Sequence, residues 1–109
     1  LYLERDEPEL AAYYKSRVEV FRRKNPYYLF HMAEEAYAAH DYPEVINLMR
    51  RAVRYEKSEH TFYHLLGVGH LKMGDISAAE RNFTRAAKVA QTAKDRERYN
   101  HKLHLLAGN

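Results

Sequence analysis

Seven histidines are the first residues in this 109-residue chain whose type and spacing could do chemistry. His60 and His64 stand one helical turn apart and His101 and His104 three residues apart, and two imidazoles at such spacing can share a metal ion. Neither pair has a clear third carboxylate ligand, although Glu59 and Glu97 lie nearby in sequence, and no cysteine accompanies them. No metal and no other cofactor is therefore expected. The pairs read as exposed or partly packed side chains that could make binding or stability sensitive to pH between about 5 and 8. Glu34 and Glu35 are adjacent carboxylates, but neighbouring helical positions point about 100° apart and do not make an acid–base dyad. Gly67-Val68-Gly69 falls inside a helical pattern, not in a phosphate-binding loop, and neither a nucleophile elbow nor a metalloprotease spacing is present. No catalytic residue is expected, and the chain does not read as an enzyme. Arg50, Arg51 and Arg54 with Lys57 form a cationic helix end that could meet phosphate; the plainer reading is a favourable interaction with the helix dipole.

The elements that must position these residues are helical throughout. At 109 residues and 46% hydrophobic the chain can bury one core, so a single domain is expected. Its 18 basic and 15 acidic residues are interleaved along nearly every helix, which argues against nucleic acid as a partner. No apolar run approaches the roughly 18 residues that span a bilayer, so no membrane role is expected, and a cytoplasmic location is mildly favoured. The chain opens at Leu1 without methionine or a secretory leader, and a processed chain or an excised fragment is the expectation. Leu1 to Asp6 lacks a clear period. Glu7-Pro8-Glu9 opens a helix to about Arg23, with Leu10, Tyr14, Val18 and Phe21 on one face. Asn25-Pro26 starts the next, about Tyr27 to Ala39, with Leu29, Met32, Ala33 and Ala36 inward. After the short turn at His40-Asp41-Tyr42 a third helix runs from about Pro43 to Tyr55. Ser58 or Thr61 is expected to cap a fourth ending near Met73. Gly74 supplies a left-handed stop, and Asp75 or Ser77 caps a fifth helix from Ile76 to about Ala90. A sixth, about Ala93 to Ala107, can pack only Tyr99, Leu103, Leu106 and Leu105.

Two stretches repeat. Tyr63, Leu66, Gly67 and His70, then Gly74-Asp75, then Ala79, Phe83 and Ala86 are echoed 34 residues earlier by Leu29, Met32, Ala33 and Ala36, then His40-Asp41, then Val45, Met49 and Ala52. This pattern resembles the tetratricopeptide repeat, whose signature is a bulky residue, Leu-Gly and an aromatic on one helix, then Ala, Phe and Ala on the next. The second copy, 60–93, keeps the Leu66-Gly67 pair and the Ala79, Phe83, Ala86 triplet, but has His70 for the aromatic and Gln91 where proline is common. The first copy, 26–59, departs further, with Ala33, Ala36, Val45 and Met49 at signature positions. Residues 7–25 would be a flanking helix, read equally as the second helix of a degenerate earlier repeat or as a plain cap, and 94–109 a C-terminal cap. The resemblance covers about 68 residues and implies an all-α, α-α superhelix of about six helices stacked as three antiparallel pairs, with a right-handed twist. Two clear copies are fewer than the three usually needed, so both flanking helices are expected to be required for stability.

The resemblance also implies that the first helix of each pair lines a concave groove. Its exposed face would carry Tyr27, Phe30, His31, Glu34 and Tyr37 in the first copy and Thr61, His64, Val68, Leu71 and Lys72 in the second, with Arg98 and Lys102 added by the last helix. Aromatic side chains beside cations suit a peptide with apolar anchors and an acidic group; the alternative is that the tyrosines only complete helix packing. Phe30 and Glu34 stand where a co-chaperone subclass of the family carries lysine and asparagine to grip a terminal carboxylate, which argues against that role. The expected function is a protein interaction module that binds another protein or a peptide in the groove. The alternative is a scaffold, self-associating as a homo-oligomer or appended to a larger multidomain protein, as such arrays are in many bacterial enzymes.

Overall fold

The computed structural model describes residues 7–108. Leu1 to Asp6 and Asn109 lie outside the described residues. Six helices follow in order, α1 (Glu7–Lys24), α2 (Pro26–Ala38), α3 (Tyr42–Tyr55), α4 (His60–Lys72), α5 (Ile76–Val89) and α6 (Ala93–Leu106), and no strand occurs among the described residues. The fold is all-α.

Local chemistry accounts for most boundaries. Asn25 accepts hydrogen bonds from the Tyr27 and Tyr28 backbone amides at 3.0 and 3.4 Å, and Pro26 follows at the first helical position. Asp41 and Asp75 cap α3 and α5 by accepting from the Glu44 and Ala78 amides at 3.3 and 3.1 Å. Thr92 caps α6 and also donates its hydroxyl to Asp95, a reciprocal arrangement close to a capping box. The start of α4 differs from expectation. Its cap residue is Glu59, which makes no capping bond to the helix backbone; Thr61 instead donates to the Glu59 carboxylate at 3.1 Å, and Ser58 donates to Glu56.

The architecture has a period of 34 residues: α2 and α4 start at Pro26 and His60, and α3 and α5 start at Tyr42 and Ile76. The connecting turns share their closing bonds. The Asp41 amide donates to Ala36 O at 2.8 Å as the Asp75 amide does to His70 O at 2.9 Å. Both turns need one residue in the left-handed region, and it is Gly74 (φ 82°) in the second but His40 (φ 61°) in the first. A side chain there costs about 1–2 kcal/mol, partly offset because glycine loses more entropy on folding. His40→Gly is thus expected to raise stability by about 0.5 kcal/mol in urea unfolding. A loss instead would mean that the 2.8 Å contact of His40 Nδ1 with Tyr42 Oη outweighs the backbone relief.

Two hairpins, α2–α3 and α4–α5, pack side by side through α3 and α4, and α6 lies against α5. Leu29, Val45, Met49, Ala52 and Phe62 are buried in one core cluster, and Tyr63, Ala86 and Tyr99 in a second. Small residues set the approach distances. A Cβ on Gly67 would stand 2.6 Å from Phe83 Cε1, and one on Gly69 3.2 Å from both Val45 and Ile46 side chains, so α4 touches α5 through the first glycine and α3 through the second.

Packing at the amino-terminal end corrects the expectation of three paired layers. Tyr14, Val18 and Phe21 are exposed, Phe21 at 68%, because the described part of α1 packs sparsely on the rest; near its end Arg51 Nη2 reaches Arg23 O at 3.5 Å. The described part of α1 contributes no fully buried side chain, so its face does not supply the flanking core expected of it. Met32, assigned to the inside of α2, is likewise 38% exposed.

Candidate functional site

α4 is the central helix, and from His60 to Leu71 none of its residues is exposed. The reason lies in its sequence, which carries no carboxylate and only Lys72 as a permanent charge, so both sides can be covered by neighbours. The residues left partly open are chiefly Thr61, His64, Leu65, Val68 and Leu71, a spacing that forms one stripe along the helix.

α2 borders one edge of this stripe. Phe30 is half-buried with its ring 5.4 Å from that of Phe62, and Tyr27, exposed, lies 5.2 Å from the same ring. Tyr27 Oη donates to Glu59 Oε1 at 3.3 Å; desolvation and then the Glu59 charge raise the phenol's pKa. α6 borders the other edge. The His64 ring sits 5.8 Å from Phe83 and 5.5 Å from Tyr99, and Lys102 Nζ lies 5.9 Å from the centre of the Phe83 ring. Tyr99, fully buried, exchanges a hydrogen bond with His60 Nδ1, while His60 Nε2 lies 3.6 Å from Asp95. Arg98 Nη2 is 3.5 Å from the same carboxylate, and its guanidinium lies 5.5 Å from the Tyr99 ring centre.

His64 carries the largest perturbation. Its Nε2 is buried without a hydrogen-bond partner. Burial first, then the charges of Lys102, Arg98 and His60, lower its pKa to about 4, so the ring is neutral at physiological pH.

The structure thus gathers His64, Arg98 and Lys102 on one edge and Tyr27 and Phe30 on the other, with Val68 and Leu71 half-buried along the floor. Other expected groove residues point to neighbours within their own hairpin. Tyr37 packs edge-on against Tyr42 at 5.6 Å, and His31 reaches Glu35 at 3.1 Å. Glu34 and Lys72 are exposed at the margin. Four participants were not expected: Glu59, Phe62, Asp95 and Tyr99 as a hydrogen-bonding group. Asp95 was signalled by Thr92 three residues before it, a spacing that reads as a cap; Phe62 had no such signal, since its role depends on where α2 crosses α4.

The histidine pairs do not build a metal cage: no group of three or more His, Cys, Asp or Glu side chains that could hold an ion occurs among the described residues. No helix there is long and apolar enough to cross a membrane.

The helix order, period and turn geometry define an all-α protein of stacked helical hairpins. Comparison with family models, curated proteins and solved structures found no match to the chain.

Proposed function

We propose that the chain is a tetratricopeptide-like interaction module that binds a peptide or protein segment along the α2, α4 and α6 face. The observation that supports this reading is the stripe on α4, half-buried and without carboxylates, lying between the Phe30 ring and the Lys102 ammonium. Such a surface can desolvate apolar anchors of a ligand while a cation at its edge meets an acidic group. The reading assigns no catalytic step: Glu35, the better held of the adjacent carboxylates, is engaged by His31. Selection from a random peptide library should return sequences with an apolar anchor spaced from an acidic residue. Phe30→Ala and Lys102→Glu, each with helicity intact, should weaken those peptides about tenfold or more. Ligands that bind both variants as tightly as the parent chain would place the site elsewhere.

A second reading, self-association, is favoured by the exposed Tyr13, Tyr14, Val18 and Phe21 of α1 and by the hollow that the last three share with Tyr28 of α2. Light scattering over a wide concentration range separates the two. A mass that doubles with concentration, and does not in Phe21→Glu, supports association through α1; a constant monomer removes it.

A further inference from the structure

We propose that the hollow between α3 and α5, on a different side of α4 from His64, binds an acidic peptide segment carrying apolar side chains. The proposal concerns a second surface and does not rest on ligand binding along the α2, α4 and α6 face. The hollow has a volume of about 640 Å³, within the range of sites that accept small ligands or peptide side chains. Its floor is apolar, formed by Val53 of α3 with Tyr63 and Leu66 of α4.

One wall is cationic by helical arithmetic. Arg81, Arg85 and Lys88 follow at spacings of four and three residues on α5, lie on one side of it and are all exposed. Arg50 of α3 is exposed and adds positive charge outside the lining of the hollow. Burial lowers the pKa of His70 on α4 against the opposing pull of Asp75, and the smaller effects of Arg50 and Arg81 act in the same direction as burial, so guanidinium groups of two helices lie within electrostatic reach of one ring. Among the described residues no carboxylate forms an ion pair with Arg50, Arg81, Arg85 or Lys88; the ion pairs present involve His31, His60, His70 and Arg98. A single carboxylate, Glu80, lines the hollow and leaves the surplus positive.

This charge and this floor together select the ligand. Guanidinium groups one turn apart match successive carboxylates in bidentate fashion, and the floor takes alternating apolar side chains. Nucleic acid would want an open aromatic platform for its bases. The aromatic side chain in the hollow, Tyr63, is only 4% exposed, is covered by Arg85 at 5.8 Å and is tied through Oη to Lys57 O at 2.9 Å.

The test is fluorescence anisotropy of the full chain with a labelled peptide of alternating glutamate and leucine, and with oligouridylate of the same charge. The peptide should bind, and weaken several-fold as salt rises from about 0.05 to about 0.5 M. Arg81→Glu with Arg85→Glu should weaken it about tenfold or more. Arg22→Glu with Arg23→Glu, an equal charge change on α1, should not. Arg81→Gln with Arg85→Gln replaces the swap should the latter lose its helical circular dichroism. Absence of peptide binding, equal loss in both double variants, or tighter binding of oligouridylate would each overturn the proposal.

Discussion

Gly67→Ala is expected to lower stability by about 1–2 kcal/mol, where the same change in an exposed helix would raise it by about 1 kcal/mol. Helix propensity favours alanine, and the backbone at Gly67 is ordinary α-helix, so the cost must come from space. The new Cβ would stand 2.6, 2.8 and 3.1 Å from three carbons of the Phe83 ring. That ring is rigid and 1% exposed, and it is hemmed in by His64 at 5.8 Å and by the Lys102 side chain. It cannot swing away without pushing α5 from α4, and overpacking of this kind typically costs 1–3 kcal/mol. Phe83→Leu should make Gly67→Ala far less costly, because a shorter side chain vacates the contested space. Urea unfolding of the two single variants and the double variant reads this as a coupling energy. Additive effects would mean that the helices tolerate the methyl by a shift elsewhere. Gly69→Ala is the internal control: its Cβ would meet Val45 and Ile46 at 3.2 Å, a contact that the ends of those side chains relieve by a slight shift, so a smaller change is expected.

Most of the helix boundaries could be read from residues that start and stop helices by local chemistry. Asn25-Pro26, Asp41 and Gly74-Asp75 each act within a few residues of the chain, and the observed ends fall within one residue or so of the expected ones. α4 was harder to place because Glu59 makes no capping bond that a sequence pattern would announce. Burial was legible only as potential. The stripe Leu10, Tyr14, Val18 and Phe21 is apolar at helical spacing, yet the pattern specifies a face that could be covered and not whether anything covers it; in α1 little does. The candidate site was legible in part for a related reason. Positions one turn apart on a single helix, such as His64 and Val68, follow from periodicity, whereas the approach of Phe62 to Phe30 and of His64 to Tyr99 depends on how helices cross. Gly69 shows the same limit: its neighbours Val45 and Ile46 belong to the preceding helix, α3, and only the packed structure names them.

Acid should destabilise the chain through His64, in a window set by that residue alone among the histidines with so large a shift. Its pKa is about 4 when folded against 6.5 when unfolded. Above pH 6.5 both states leave the ring neutral and stability is full. Between pH 6.5 and 4 the unfolded chain takes up a proton that the folded chain refuses, so stability falls as pH falls, and below pH 4 the loss is complete. The full shift corresponds to about 3 kcal/mol, and solvent contact at this half-buried position reduces that to about 2 kcal/mol. His70, also lowered chiefly by burial, changes stability in the same direction. His64→Leu removes both the titration and the buried Nε2 that lacks a partner, so the variant should be at least as stable as the parent at pH 7.5 and clearly more stable at pH 5. Urea unfolding at the two pH values provides the measurement. If parent and variant lose the same stability on acidification, His64 is protonated in the folded chain, and its ring must turn Nε2 to water between Phe83 and Tyr99.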